Sequence, residues 1–373
     1  MKRMLALLLT ICLLLSGCST LVGGEHIWTQ AHSIPKFPGT SQNIAAADYG
    51  QLYEALVNMV AAGTAQATIS VERYDRETIE ADTQTAIAAV LRQDPIAAYA
   101  VEHIDYTLGT SGGETVLALD IRYLRDQAQI KKIVHVEDTQ AAREQIQAAL
   151  VACETGIVLL MQRYEQRDMA QMVEDYALEY PELVMETPQV TVNVYPEEGK
   201  SRVVELKFSY QTSRDTLKNM QSQVENLFKS AQFFTSGYRT DRRRFMRLYT
   251  WLMETNEYTI QTSITPTYSL LLYGTGDSRA FATVFSALCR RMELECITVS
   301  GTKNGESWCW NLIRINDDYY HLDLLQCSKD GGFAIYTDGQ MEGYVWDYNA
   351  YPASPDPEPT EPTQPPTTVA PEE

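Results

Sequence analysis

The chain has 373 residues, of which 45% are hydrophobic and 10% aromatic, a composition that can bury sizeable cores and excludes wholesale disorder. The 49 Asp and Glu residues outnumber the 30 Lys and Arg residues, giving a formal net charge of −19. This charge argues against a nucleic-acid partner, because little would neutralise the phosphates. The five histidines are scattered and the seven cysteines form no CxxC pair, so we expect no metal and no cofactor. At roughly 100–200 residues per domain, the length predicts two or three domains.

The first residues are typical of an export signal rather than of a folded element. A basic start, Lys2-Arg3, precedes the apolar run 4–15, which is too short for a comfortable membrane span. The run ends in the sequence LSGC, which resembles the bacterial lipobox. This resemblance implies that residues 1–17 are a lipoprotein signal peptide and that Cys18 becomes the lipidated first residue. The alternative is an ordinary secreted protein with a chance cysteine at this position.

Both ends of the mature chain lack hydrophobic periodicity. Residues 18–40 contain Gly and Pro and are predicted to be a tether that lifts the body off the membrane. Residues 352–373 hold eight of the fifteen prolines and are predicted to be a disordered Pro/Thr/Glu tail. We therefore expect a protein at the extracytoplasmic face of the cell membrane, held there by a lipid on Cys18.

The middle of the chain contains two stretches that read alike. Each follows the pattern β-α-β-β-α, and the turns GTSGGE and PEEGKS mark hairpins between alternating strands. Matching positions recur at offsets close to 90 residues, namely Tyr74 with Tyr164, Pro95 with Pro181 and Tyr123 with Tyr210. The pattern predicts two tandem α+β repeat modules, 41–150 and 151–235. We expect binding or spacing modules, and a packed scaffold without a ligand is the favoured interpretation.

The C-terminal part, residues 236–351, begins with a helical stretch, RRRFMRLYTWLMETNEYT. The turn GTGD at 274–277 then opens an amphipathic helix, and a strand follows at about 295–299. The run WCWNLIRINDDYYHLDLL (308–325) predicts a hairpin with its turn at 316–318. One face of the helix is apolar, formed by Phe281, Val284, Phe285 and Leu288.

This order of elements resembles the transglutaminase-like superfamily, whose core is papain-like. The family pattern places G-x-C at a helix N-terminus, then a strand ending in V-x-G, then H-x-W-N and W-Y-x-x-D on two further strands. The resemblance covers residues 241–349 and implies a papain-type domain. The expected fold is therefore α+β, with two tandem β-α-β-β-α modules followed by a transglutaminase-like papain-type α+β domain.

The resemblance also implies a catalytic cysteine, histidine and aspartate, of which this chain keeps one. The matching positions hold Ser278, Trp308 and Asp323. A serine hydroxyl needs a general base, and an indole has an N–H donor but no basic nitrogen. Loss of a triad member typically costs a factor of about 10⁴ or more in rate. We therefore expect no intact catalytic triad, and a transglutaminase-like pseudoenzyme.

Other roles remain open for the residues near these positions. Ser278 is the candidate nucleophile of an atypical acyl-transfer enzyme or hydrolase of the protease/amidase class, although its simpler role is that Asp277 or Ser278 caps the helix that follows. His321 shares strand parity with Asp323 but lies about 7 Å away along the strand, a poor distance for a substitute base. Cys309 is expected in the core, because strand alternation points it away from Trp308.

Aromatic residues near the former catalytic groove suggest a second use for it. The candidate cleft-binding residues are Trp308, Trp310, Tyr320 and His321. They favour a non-catalytic binding or scaffold protein for an extended chain, either peptidoglycan or a surface protein. Alternatively, Trp308 fills a vestigial pocket with apolar bulk. Trp310 matches the family pattern and is expected to be structural. A third interpretation of the protein is a pure structural spacer. None of these interpretations involves a metal.

Five cysteines remain in the body of the chain, and an exported protein can form disulfides. Cys289 with Cys296, or Cys309 with Cys327, are possible pairs. Buried free thiols are at least as well supported, and Cys153 has no evident partner.

Overall fold

The computed structural model describes residues 44–354 and residue 356. The predicted signal peptide 1–17, the tether 18–40 and most of the predicted tail lie outside the described residues. Within the described part, none of the helices combines the length and apolarity needed to cross a membrane.

The first unit is a four-stranded sheet with helices packed on one face. Its strand order is β1-β2-β4-β3, with β1 parallel to β2 and the other pairs antiparallel. The Asp48 side chain caps the first helix, and Gly63 ends it with a φ of 65°. The elements in chain order are β1 (Ile44–Ala45), α1 (Tyr49–Ala62), β2 (Gln66–Ser70), α2 (Ile79–Gln93), α3 (Pro95–Ala100), β3 (Val101–Ser111), β4 (Glu114–Tyr123) and α4 (Gln127–Lys131).

The second unit has a sheet with the same strand order and the same pairing directions. The order is β5-β6-β8-β7, with β5 parallel to β6 and the other pairs antiparallel. Hairpins join β3 to β4 and β7 to β8, as the two turn sequences predict. The elements are β5 (Val134–Val136), α5 (Thr139–Val151), β6 (Gly156–Met161), α6 (Met169–Glu179), β7 (Gln189–Tyr195) and β8 (Arg202–Ser209).

The boundary between these two units differs from the predicted one at residue 150. Val136 of β5 and Ile146 and Leu150 of α5 are buried in one cluster with Leu159 and Leu206 of the second sheet. β5 and α5 therefore belong to the second unit, which begins before Val134. Each unit thus opens with a short strand and a helix ahead of the predicted β-α-β-β pattern.

The C-terminal unit contains an antiparallel sheet in the order β13-β12-β11-β14, packed against helices. A separate parallel pair, β9 with β10, lies next to the start of helix α10. The elements are α7 (Arg214–Thr235), α8 (Asp241–Met253), β9 (Glu257–Tyr258), α9 (Pro266–Tyr273), β10 (Thr275–Gly276), α10 (Ser278–Arg291), β11 (Cys296–Lys303), β12 (Glu306–Ile315), β13 (Asp318–Leu322), α11 (Leu324–Lys329) and β14 (Tyr344–Val345).

Helix α10 is the central helix of this unit. The four residues predicted to form its apolar face are all buried, which confirms the amphipathic helix expected after the 274–277 turn. Helix α7, assigned from the sequence to the second repeat module, buries Val224 and Phe228 in the same cluster as Phe281 and Phe285. Its apolar face therefore packs with the C-terminal core. The boundary predicted at residue 235 would separate α7 from the core to which it belongs.

The packed part of the chain extends a little beyond the predicted boundary of the tail. The Ser354 side chain is fully buried, and its hydroxyl donates to the Tyr319 carbonyl oxygen at 2.5 Å. The Ser354 N–H donates to Asp338 Oδ2 at 3.0 Å. Residues 352–354 are thus part of the folded body, in contrast to the tail predicted to begin at residue 352.

Candidate functional site

The Ser278 side chain lies at the first residue of α10. The preceding Asp277 caps this helix, because its carboxylate accepts a hydrogen bond from the Ala280 N–H at 2.8 Å. Ser278 is buried, and its Oγ accepts a hydrogen bond from the Cys309 N–H on β12 at 3.2 Å. The capping role considered for Asp277 or Ser278 therefore falls to Asp277, and Ser278 joins α10 to β12.

Trp308 lies next to this contact and connects β12 to Asp323. Its indole Nε1–H donates to Asp323 Oδ2 at 2.9 Å. Its ring packs against Tyr258 of β9, with 5.4 Å between the ring centroids. The structure therefore brings Ser278, Trp308 and Asp323 to one place, through the Ser278 contact with Cys309 and the Trp308 contact with Asp323.

Asp323 is a buried carboxylate with an unusually full set of donors. Besides Trp308, its Oδ2 accepts from the Tyr344 hydroxyl at 2.6 Å and from Lys303 Nζ at 3.0 Å. Lys303 is largely buried as well, and its ammonium lies 5.1 Å from the Trp308 ring centroid and 4.9 Å from that of Tyr344. Burial, followed by the negative charge of Asp323, raises the pKa of Tyr344 above its usual value. The phenol is therefore a fixed donor to the carboxylate.

The other oxygen of Asp323 caps helix α11. Oδ1 accepts hydrogen bonds from the N–H groups of Leu325 and Gln326, both at 3.0 Å. Lys303 also donates to Gln326 Oε1 at 2.8 Å. Asp323 therefore holds together β11, β12, β14 and the start of α11, and both of its oxygens have donors in the resting fold.

The chemistry open to this group is limited by the nature of its donors. Trp308 can donate to Asp323 but cannot take a proton, because the indole has no basic nitrogen. Within the described residues, no histidine is hydrogen-bonded to Ser278. The Lys303 ammonium is already engaged in an ion pair with Asp323 Oδ2, at 3.0 Å.

His321 and Trp310 lie in the core rather than in an open cleft. Trp310 Nε1–H donates to His321 Nδ1 at 2.9 Å, and His321 Nε2 lies 2.8 Å from Asp338 Oδ1. Both rings are at most 1% exposed, and Trp346 packs against each of them. Burial lowers the pKa of His321 below its usual value, although Asp338 opposes the shift. Two of the four residues expected to line the cleft are therefore unavailable to a ligand.

Tyr320 is half-buried, and β-sheet pairing places it opposite Ile313 on β12. This position is five residues along β12 from Trp308, so Tyr320 lies outside the Asp323 group. Trp308 is the remaining cleft candidate, although it is itself largely buried.

A polar groove of about 430 Å³ lies beside the N-terminal end of α10. Sequence reasoning missed it, because it is formed by short irregular segments around β9, α9 and β10. Three exposed apolar side chains, Tyr258, Ile260 and Ile264, belong to the same segment. The groove is lined largely by hydroxyl, amide and carboxylate side chains, including Thr259, Gln261, Thr262, Ser269, Tyr273 and Asp277.

All five cysteines of the described part are free thiols, namely Cys153, Cys289, Cys296, Cys309 and Cys327. Burial raises the pKa of Cys327 to about 11. Burial and the neighbouring Cys296 raise the pKa of Cys289. Cys309 is buried, with its Sγ 3.7 Å from Ser300 Oγ. In residues 44–354, His, Cys, Asp and Glu side chains form no group of three or more able to hold a metal ion.

Comparison with known proteins gives one family match. Residues 229–331 match the family model described as the transglutaminase-like superfamily. No relative of the chain is found among curated proteins.

Three solved structures show weak similarity to the chain. A candidate cysteine protease from Cytophaga hutchinsonii is 14% identical, with a TM-score of 0.26, covering 42% of this chain and 70% of that one. A TGase is 7% identical with a TM-score of 0.26, covering 59% and 65%. A candidate protease from Parabacteroides distasonis is 8% identical with a TM-score of 0.22, covering 68% and 39%. The likeness to a family rests on that family model: residues 229–331 of this mixed α+β chain are similar to the transglutaminase-like superfamily.

Proposed function

We propose that this is a lipid-anchored bacterial surface protein whose transglutaminase-like domain binds a ligand without catalysis. The observation that carries the proposal is the hydrogen bond from Trp308 Nε1 to Asp323. An indole occupies the position that the family pattern gives to histidine, and it satisfies the aspartate without supplying a base. Ser278, at the cysteine position, accepts a hydrogen bond from the Cys309 N–H. The degenerate triad positions thus have structural partners.

The ligand-binding surface we propose is the groove beside the start of α10. Thr262 and Tyr273 are exposed on it, and its hydroxyl and amide groups can pair with the peptide or sugar groups of an extended chain. A stem peptide of peptidoglycan or an extended segment of a surface protein has this chemistry. The exposed Ile260 and Ile264 nearby would contact apolar parts of such a ligand.

Anchoring rests on the N-terminal sequence alone. The basic start, the apolar run 4–15 and the LSGC sequence support acylation of Cys18 at the membrane. We propose that the following residues, 18–40, tether the body at the extracytoplasmic face.

We also propose that the first two units are duplicated modules that act as a spacer between the anchor and the binding domain. The support is their shared register: Ile69 pairs with Leu117, and Leu159 pairs with Val204. The offset from Ile69 to Leu159 equals that from Tyr74 to Tyr164. The offset from Leu117 to Val204 equals that from Tyr123 to Tyr210. The parallel pairs follow the same rule, with Ile44 opposite Ile69 and Val134 opposite Leu159.

The test mixes the chain from residue 19 onward with sacculi of the producing bacterium. Co-sedimentation measures binding, and mass spectrometry of the sacculi detects any released or newly cross-linked fragment. We expect binding without covalent change, unaffected by Ser278→Ala. Thr262→Arg should abolish binding by filling the groove, whereas Thr110→Arg, at an exposed threonine of β3, should not. Binding that survives Thr262→Arg would rule out the groove.

The second candidate is an acyl-transfer enzyme or hydrolase that uses Ser278 as its nucleophile. The observation in its favour is the location of Ser278 at a helix N-terminus, where a developing negative charge is stabilised. Against it stands the observation that, in the described part of the chain, no imidazole is hydrogen-bonded to Ser278. Covalent change in the sacculi that disappears in Ser278→Ala would establish this candidate and refute the non-catalytic proposal.

A further inference from the structure

The turn between α7 and α8 carries a positively charged and apolar surface on an otherwise acidic protein. We name it the basic corner. Phe233 at the end of α7 is 84% exposed, the largest exposed fraction of any described bulky apolar side chain. The basic corner consists of Phe233, Tyr238, Arg239, Arg242, Arg243 and Met246, all of them exposed.

The three arginines of the basic corner have no acidic partner within the described chain. Two neighbouring arginines, Arg244 and Arg247, contact other side chains of the fold. Arg244 pairs with Asp241 at 3.4 Å, and Arg247 stacks on Phe234 with its guanidinium carbon 4.0 Å from the ring centroid. Arg247 also lies 5.3 Å from the Tyr238 ring centroid, which fixes the turn against α8. The fold thus uses two arginines internally and leaves three pointing to solvent.

From this arrangement we propose that the basic corner binds the surface of an anionic lipid membrane. Guanidinium groups pair with lipid phosphates, and an exposed phenylalanine among basic residues is typical of side chains that enter the headgroup region. The chain as a whole carries −19, so most of its surface is repelled by anionic lipid. Contact is therefore confined to this corner, which would orient the body on the membrane. The inference does not depend on the lipid at Cys18.

The direct test is sedimentation of the chain from residue 19 onward with lipid vesicles. All described contacts lie within residues 44–356, so this chain keeps the whole described fold. We expect binding to vesicles of equal parts phosphatidylglycerol and phosphatidylcholine, weakening with added salt, and little binding to phosphatidylcholine alone. Each basic residue near an anionic membrane strengthens binding about fivefold, so Arg239→Gln, Arg242→Gln and Arg243→Gln together should weaken it on the order of 100-fold.

Two controls separate this site from general charge effects. The triple variant Arg73→Gln, Arg76→Gln and Arg122→Gln changes the net charge equally at exposed arginines of the first unit, and it should bind like the parent chain. Phe233→Ser should weaken vesicle binding about tenfold by removing the apolar contact, while Leu124→Ser, at an exposed leucine outside both proposed binding surfaces, should not. Circular dichroism checks that each variant is folded.

Three results would overturn the inference. They are equal binding to neutral and anionic vesicles, equal losses in the two triple variants, and no binding to anionic vesicles at low salt. The last would refute a lipid partner even if the chain bound a soluble polyanion through the same arginines.

Discussion

At position 308, which we propose to match the histidine of the family pattern, the side chain is an indole. It donates a hydrogen bond to Asp323, as a histidine in a triad would. It cannot accept the proton of Ser278, because its one nitrogen carries a hydrogen and no available lone pair. Asp323 Oδ2 accepts hydrogen bonds from Trp308, Lys303 and Tyr344, so we expect this group to stabilise the fold.

Asp323→Asn tests this structural role. The NH2 group of the amide would face either the three donors that now bind Oδ2 or the N–H groups of α11. In both orientations Lys303 would lose its counter-charge. Breaking a buried ion pair costs about 3–5 kcal/mol, so the free energy of unfolding in urea should fall by that amount. Asp317→Asn, at a 97% exposed side chain, should change it by less than about 0.5 kcal/mol. Equal small effects of the two variants would contradict the role of Asp323.

His321 should make the unfolding free energy depend on pH. Its pKa in the folded state is below its usual value, chiefly through burial, so between the folded and unfolded pKa values the unfolded chain binds more protons. Stability from this residue is present above about pH 6.5 and is lost as the pH falls, at no more than about 1.4 kcal/mol per pH unit.

His321→Gln removes that titration, so urea unfolding at pH 7 and pH 5 should show a smaller loss of stability in the variant than in the parent chain. An unchanged slope in His321→Gln would mean that His321 does not contribute to the pH dependence.

At the level of elements, β14 approaches β11 so closely that position 301 of β11 must be glycine. A Cβ on Gly301 would lie 2.3 Å from the Val345 carbonyl oxygen and 2.9 Å from the Trp310 ring. Since β14 also carries Tyr344, a shift of this strand would disturb the donors around Asp323.

Gly301→Ala should therefore lower the free energy of unfolding by about 1–3 kcal/mol, the usual cost of overpacking. The matched control is Gly109→Ala on β3, where an added Cβ meets no atom within 4 Å. Thermal unfolding of both variants checks this. The close approach of β14 would be contradicted if Gly301→Ala were as stable as the control.

The elements around the site were predictable where local pattern determines them. The 274–277 turn, the apolar face of α10 and the hairpin turn near Asn316, which has a φ of 58°, all have short-range signals. Lys303 and Tyr344 had no such signal, because they reach Asp323 only through the pairing of β11 with the two-residue strand β14. The burial of Trp310 and His321 also depends on Trp346, which lies in an irregular segment.

In the molecule as a whole, the first two units contact each other through a small cluster. Tyr99 and Ala100 of the first unit pack with Val203 of β8, and the Tyr99 and Tyr195 rings meet edge to face with centroids 5.6 Å apart. Arg125 lies over Tyr99 and 3.6 Å from Glu205.

The predicted boundary at residue 150 failed because β5 is three residues long and its parallel pairing with β6 leaves little local pattern.

Tyr99→Ala should weaken this contact and uncouple the unfolding of the two units. Truncation of a buried aromatic side chain costs about 3–5 kcal/mol, and Tyr99 belongs to the cluster that joins the two units. We expect calorimetry to show a separate, earlier transition for the first unit. Tyr106→Ala, at a half-buried tyrosine of β3 outside that cluster, should not separate the transitions. A single unfolding transition of Tyr99→Ala, at the unfolding temperature of the parent chain, would contradict the coupling of the two units through Tyr99.

The most direct test of the central claim is whether the site at Ser278 contains a base. The measurement is the pH dependence of iodoacetamide alkylation at position 278, followed by peptide mass spectrometry, in Ser278→Cys and in Ser278→Cys with Trp308→His. In the single variant only the helix N-terminus favours the thiolate, so we expect it to react slowly at pH 5–6. The double variant should gain a thiolate–imidazolium pair and react at that pH at least about tenfold faster. Reaction of the single variant at pH 5–6 as fast as that of the double variant would show that the site activates the thiol without the Trp308→His change and would contradict the non-catalytic account.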